Sequence, residues 1–200
     1  MTIDLNASTL IPVHTRIEPA PDGAVRVVKA DKPLPDENTY ARVPGVDFHN
    51  GVIEVEVRGG LLPDAPDYAR GFIGIVFRAS GDDSEFESFY IRPTNGEGCP
   101  DPVRRAHGCQ YFSYPGYTFS YFREFGIVKY EGAVHTIALN RWSRLRAEIR
   151  DGEATFCVDG KSVLHVPDLK HGKDARGGVG LYVDIGTDGC FRNLNITCED

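Results

Sequence analysis

No apolar run in this sequence approaches the ~20 residues of a membrane span, so a helical membrane protein is excluded. There is no CxxC pair, no HExxH and no HxH, and the six histidines are scattered. Neither a zinc site nor a catalytic transition-metal site therefore has ligands at usable spacing. The five cysteines, Cys99, Cys109, Cys157, Cys190 and Cys198, are odd in number and irregularly placed. That favours reduced thiols over a disulfide framework, with a Cys99–Cys109 pair across a loop as the alternative. No segment has a convincing amphipathic helical period, and only a short helical turn is expected near Pro100 to Ala106. There is no internal repeat and no low-complexity tract. The first residues, MTIDLNASTL, lack the basic start and apolar stretch of a secretion signal, so the expected location is cytoplasmic. Positive charge is also in short supply. The 22 Lys and Arg against 29 Asp and Glu leave a net charge of −7, which repels phosphate backbones and argues against nucleic acid.

What the chain does have is alternation on a period of two. Gly51-Val-Ile-Glu-Val-Glu-Val-Arg58 repeats Glu54 and Glu56 on one face, as a half-buried strand does. Gly71-Phe-Ile-Gly-Ile-Val-Phe-Arg78 sets Ile73, Ile75 and Phe77 on one face and Phe72, Gly74, Val76 and Arg78 on the other. The small Gly74 leaves room there for a ligand or a neighbouring strand. Trp142 to Ile149, Ala154 to Val158 and Ser162 to Val166 are joined by Asp151-Gly152 and Asp159-Gly160, strong hairpin signals, and read as a three-stranded meander. Val179 to Val183 and Cys190 to Ile196 follow. About twelve short strands in 200 residues, 41% of them hydrophobic, predict one domain over residues 1–200. The predicted class is all-β, a two-sheet antiparallel jelly-roll sandwich.

Several of these segments also carry a family likeness. Trp142-Ser-Arg-Leu-Arg146, Phe156-Cys-Val-Asp-Gly160, Gly178-Val-Gly-Leu-Tyr182 and Phe191-Arg-Asn-Leu-Asn-Ile196 together resemble the concanavalin A-like lectin/glucanase sandwiches. Within that group the chain resembles the laminin-G-like and 3-keto-disaccharide hydrolase branch. Phe86-Glu-Ser-Phe-Tyr-Ile-Arg-Pro-Thr-Asn95 is similar to that branch's strand ending in an Arg-Pro-x-Asn turn, and Gln110-Tyr111 and Tyr121-Phe-Arg-Glu124 to later segments. The likeness covers roughly residues 50 to 197. It implies a concave sheet that meets glycans, but it leaves binding, hydrolysis and lysis open, because such folds host all three. The glucanases of this fold carry Glu-x-Asp-x-x-Glu. Glu85-Phe-Glu87 is the nearest approach here and lacks both the Asp and the second spaced Glu.

The candidate chemistry lies between Glu85 and Tyr130. Alternation puts Ser88, Tyr90 and Arg92 on one strand face and Glu87, Phe89 and Ile91 on the other. Tyr90 can stack on a sugar ring, and Arg92 can fork onto a carboxylate or two hydroxyls, or else tie down the Pro93-to-Gly96 turn. Arg104, Arg105, His107, Gln110, Tyr111, Arg123 and Tyr130 match the residue types a polysaccharide lyase needs. A cation or amide neutralises a uronate carboxylate, and a Tyr or neutral His moves the proton. A solvated arginine loop is the alternative.

Carboxylate pairs for hydrolysis must lie ~5 Å apart in retaining enzymes or ~6.5–9.5 Å apart in inverting ones. Glu85 and Glu87 fit that spacing, with Glu124 and Glu131 as further candidates and exposed strand carboxylates as the alternative. The catalytic candidates are therefore Glu87, His107, Tyr111 and Arg123. The ligand-binding set is Tyr90, Arg92, Asn95, Gln110, Tyr111 and Arg123. No cofactor is expected. A structural calcium could draw on Asp64/Asp67, Asp82/Asp83 or Asp184/Asp188, and turn-capping is the competing role for each pair. Trp142, the only tryptophan, reads as core. Tyr111, Tyr114, Tyr117, Phe119 and Tyr121, around Pro115-Gly116, form either a stacking platform or a self-packed loop.

Three functions remain in view. The leading one is a protein that binds a glycan or sugar-like ligand on its concave sheet. The second is a stand-alone lyase or hydrolase acting on a sugar or a small acidic molecule, and the third a structural or self-associating domain. The expected partner is a carbohydrate or other small molecule, with no nucleic acid and no membrane.

Overall fold

The computed structural model describes residues 1–199. The alternating segments fold as two antiparallel sheets. One has the order β13-β12-β11-β6-β15-β4-β3, with β1 added on β15. Its strands are β1 (Thr2–Ile3), β3 (Thr15–Pro19), β4 (Val25–Lys29), β6 (Asn50–Leu61), β11 (Ser143–Arg150), β12 (Glu153–Val158), β13 (Lys161–Val166) and β15 (Thr187–Glu199). The other has the order β10-β9-β8-β7-β14-β5-β2. It comprises β2 (Ile11–Val13), β5 (Tyr40–Phe48), β7 (Ile73–Ala79), β8 (Phe86–Ile91), β9 (Cys109–Tyr114), β10 (Glu131–Gly132) and β14 (Gly177–Val183). Two short helices, α1 (Pro102–Arg105) and α2 (Phe119–Glu124), sit in the connections on either side of β9. Among the described residues no helix is long and apolar enough to cross a membrane.

The two sheets are buried differently, and that difference creates the site. In β6, Ile53, Val55 and Val57 point into the core while Glu54, Glu56 and Arg58 point out, as alternation requires of a sheet with one wet face. In β7 and β8 every residue is buried, so the seven-stranded sheet is covered on both faces at its centre. Its inner face meets the other sheet, where the Phe89 and Phe156 rings stack with centroids 4.4 Å apart. Its outer face carries an aromatic layer in which Tyr90 meets Tyr182 at 5.7 Å and Phe112 meets Tyr182 at 5.3 Å. Loops lie over that layer. Asn38 donates to the Asp83 carbonyl at 3.1 Å, and Ser120 on α2 donates its N–H to Asp36 at 3.2 Å.

The predicted meander is β11-β12-β13. Asp159 and Gly160 both take positive φ, 50° and 80°, as a tight hairpin turn demands. Among the described residues there are fifteen strands where about twelve were expected. The additions include β1 and β10, two residues each, which are too short to carry a period. All five cysteines are free thiols. Trp142 is a correction to the sequence reading. It is half-buried outside the core, with the Arg58 and Arg192 guanidinium groups over its ring at 5.1 and 4.2 Å.

Candidate functional site

A single cross-strand row on the outer face of the seven-stranded sheet organises the site. Tyr182 of β14 opposes Gly74 of β7, Gly74 opposes Tyr90 of β8, Tyr90 opposes Gln110 of β9, and Gln110 opposes Glu131 of β10. Directly opposed residues share a face, so Tyr90, Gln110 and Glu131 stand side by side. Arg92 follows Tyr90 two residues on, just past the end of β8, and turns back over this row. It donates to the Tyr90 hydroxyl at 2.9 Å, to the Gln110 carbonyl oxygen and to the His107 carbonyl at 3.1 Å. The Tyr90 hydroxyl in turn donates to Gln110 at 2.7 Å. Glu131 supplies the counter-charge. Its Oε2 lies 3.5 Å from Arg92, 3.6 Å from Arg123 and in contact with Nδ1 of His107. Burial opposes the Arg92 charge, but Tyr90 and Glu131 more than offset it, and its pKa is raised.

Above this base lies a pocket of about 310 Å³. That is at the small end of the roughly 300–1,000 Å³ of small-molecule sites. Tyr68, Phe72 and Phe119 line it with aromatic surface; Arg70, Arg92, Arg104, Arg123 and His107 line it with cationic or basic groups; Asp36 and Asp184 supply its carboxylates. Phe119 sits under two guanidinium groups, Arg92 at 5.4 Å and Arg123 at 5.0 Å. The roof closes where Asp36 accepts from the Ser120 N–H and hydroxyl at 3.2 and 3.3 Å. Burial, with the Asp184 charge beside it, pushes the Asp36 carboxyl up to about 6. Asp184 itself accepts from Lys29 Nζ at 2.7 Å and from the Asp36 N–H at 2.9 Å.

The sequence-derived candidates divide between two places. Tyr90, Arg92, His107 and Arg123 come together at this pocket, and Asn95 joins them by donating to the His107 carbonyl at 2.9 Å. Gln110 does not line it but lies fully buried beneath, accepting from Tyr90 and Arg92. Tyr111 and Glu87 do not join them. They lie on the inner face, where the Tyr111 hydroxyl donates to Glu87 and accepts from the Lys170 N–H at 2.8 Å. Burial and the Glu87 charge push the Tyr111 phenol far up, which suits a fixed hydrogen bond and not a proton carrier. Arg78 completes this cluster, 3.6 Å from Glu87, and donates to the carbonyls of His49, Gly172 and Asp151.

The Glu85/Glu87 pair does not form a site either. Glu85 is exposed in the turn before β8, whereas Glu87 is fully buried. Glu124 is exposed on α2. In the aromatic loop, Tyr111 is fully buried and Tyr121 packs on Phe122 and Phe125, while Phe119 reaches the pocket. Sequence reasoning did not connect Asp36, Asp184, Arg70 or Phe72 with the site, since they come from three separate loops.

Gly74 makes no room for a ligand. A Cβ there would lie 2.1 Å from the Phe89 carbonyl oxygen, so the glycine serves close packing against β8. Among the described residues no three His, Cys, Asp or Glu side chains cluster so as to hold a metal ion. Of the aspartates named for calcium, Asp82 caps the turn through Ser80 and Ser84, Asp83 binds Arg42, and Asp188 binds Arg26 at 2.6 Å.

No protein-family model matches the sequence, and no curated protein resembles it closely enough to match. Solved structures do match in fold. The carbohydrate binding module CBM66 from Bacillus subtilis aligns at TM-score 0.62 and 12% identity, covering 93% of each chain. A Bacillus subtilis protein of unknown function with a galectin-like fold aligns at TM-score 0.62 and 12% identity, covering 95% of this chain and 89% of that one. A putative glycosyl hydrolase from Parabacteroides distasonis aligns at TM-score 0.54 and 13% identity, covering 98% and 92%. The chain thus has the jelly-roll fold of the concanavalin A-like sandwiches.

Proposed function

We propose that this protein binds a carbohydrate of one or two rings in the pocket above Tyr90 and Arg92. The observation that carries this reading is the composition of that pocket. It joins aromatic walls to a fixed set of arginine donors, on the outer face of a sheet in a fold shared with a carbohydrate binding module. Sugars are recognised in this way. Ring C–H faces pack on aromatic surface, and hydroxyls take hydrogen bonds from side chains already held in place. Arg92 is buried and tied to Tyr90 and Gln110, so little entropy is lost in ordering it when the ligand arrives. The test is a glycan array followed by calorimetric titration of any hit, repeated with Phe119→Ala. Loss of binding in a variant that melts like the parent supports the reading. Unchanged binding refutes it.

A second reading, a lyase or hydrolase on the same ligand, is favoured by the His107–Glu131 contact. A carboxylate against Nδ1 fixes the orientation of an imidazole, as a general base requires. Incubating each bound glycan with the protein and analysing the products by mass spectrometry separates a binder from an enzyme.

A further inference from the structure

Positive charge gathers at one end of the pocket without matching carboxylates. Arg70 and Arg104 form no ion pair among the described residues. Arg104 spends Nε and Nη2 on Asn95 and Thr94, which leaves Nη1 without a protein acceptor. Arg70 spends Nη1 on the Asp67 and Ala69 carbonyls, which leaves Nη2 and Nε without one. The two pocket carboxylates are occupied elsewhere, Asp184 by Lys29 and Asp36 by Ser120. Glu131 is already shared by Arg92, Arg123 and His107. Burial and the neighbouring Arg104 and Arg92 charges lower the Arg70 pKa, as expected where cations crowd one another. Guanidinium groups held together with donors to spare fit an oxyanion, which they take through paired hydrogen bonds. This pocket therefore sets itself apart from a protein whose net charge is −7.

Resting on the carbohydrate reading above, we propose that the sugar bound here carries an oxyanion, a carboxylate or a phosphate, seated between Arg70 and Arg104. The sugar ring then lies against the aromatic walls, and the anion provides the counter-charge the protein leaves out. Discrimination against the uncharged sugar follows, because the neutral analogue leaves those donors facing no acceptor.

The experiment titrates the protein with glucuronate, glucose phosphate and glucose, and with the galactose equivalents, at low and high salt. Inorganic phosphate and acetate serve as sugar-free anions. Expected is at least about tenfold tighter binding of one charged sugar than of its neutral partner, weakening with salt. Arg70→Gln and Arg104→Gln should each reduce that preference while leaving the melting temperature within a few degrees of the parent. The salt dependence of the parent protein keeps the test decisive if either variant fails to fold. Equal binding of glucose and glucuronate or glucose phosphate overturns this proposal and leaves the carbohydrate reading standing. Phosphate or acetate binding as tightly as the charged sugars overturns it as well, since the ring would then contribute nothing. Binding of none of these probes overturns it, while a neutral glycan found on the array would still support the broader reading.

Discussion

His107 presses Nδ1 against Oε2 of Glu131, and the Glu131 side chain is only 3% exposed. The same oxygen faces Arg92 at 3.5 Å, so one buried carboxylate serves both an imidazole and a buried guanidinium. Glu131→Gln removes the charge and keeps the volume. Arg92 would then be left buried beside neutral partners, which typically costs about 3 kcal/mol or more. Urea unfolding at neutral pH should register that loss. A variant as stable as the parent would mean that Tyr90, Gln110 and the His107 carbonyl suffice to hold Arg92.

The alternation that predicted the sheets also decides which candidates meet. Tyr90 and Arg92 were legible as a pair because they are two residues apart near one strand. The same rule forbids Gln110 and Tyr111 from facing one site, because neighbours on a strand point to opposite faces. Gln110 goes to the outer face, under the pocket and against Tyr90 and Arg92, and Tyr111 to Glu87 on the inner face. Glu131 was harder to place, because β10 is only two residues long and its face is set by pairing with Gln110. Asp36 and Asp184 lie 148 positions apart and meet through a backbone hydrogen bond, a relation with no local signature. The helix α2 was not expected. It spans six residues, has no side-chain cap, and is held by packing, with Phe122 against Tyr130 at 4.8 Å.

Arg92 and Arg123 should part company on mutation. Arg123 is 46% exposed and its one carboxylate contact is long, 3.6 Å. Arg123→Ala should leave stability within about 0.5 kcal/mol of the parent and weaken ligand binding. Arg92 is 3% exposed and joins three acceptors, so Arg92→Ala should lower stability by about 3 kcal/mol as well as abolish binding. Parallel urea curves and titrations separate the two effects. Equal stability of both variants would contradict the buried network.

Gly74→Ala tests the packing of β7 on β8. The added Cβ would meet the Phe89 carbonyl oxygen at 2.1 Å and the Tyr90 Cα at 2.6 Å, both backbone atoms of the paired strand. Neither can yield without parting the strands, so a loss of about 3 kcal/mol or more is expected. Gly81→Ala is the control. Nothing lies within 4 Å of a Cβ there, and stability should barely change. Circular dichroism melts of the two variants make the comparison. Similar melting temperatures would show that the sheet tolerates the intrusion.

The carboxyl of Asp36 makes stability depend on pH in the direction opposite to a paired aspartate. Burial and the Asp184 charge raise its folded pKa to about 6 from the ordinary 3.8, while Arg92 and the Ser120 donors oppose the shift without cancelling it. Between those two values the folded chain holds a proton that the unfolded chain has released. This group's contribution to stability is therefore complete below about pH 4, falls as pH rises to 6, and is lost above it. At ~1.4 kcal/mol per pKa unit, the penalty at neutral pH is of order 3 kcal/mol. Asp36→Asn removes the ionisation and keeps an oxygen to accept from Ser120. It should raise the melting temperature by several degrees at pH 7.5 and change it little at pH 4. Thermal melts of parent and variant at the two pH values decide the matter. A variant less stable than the parent at pH 7.5 would mean that the ionised carboxylate stabilises the roof through Ser120 more than its burial costs.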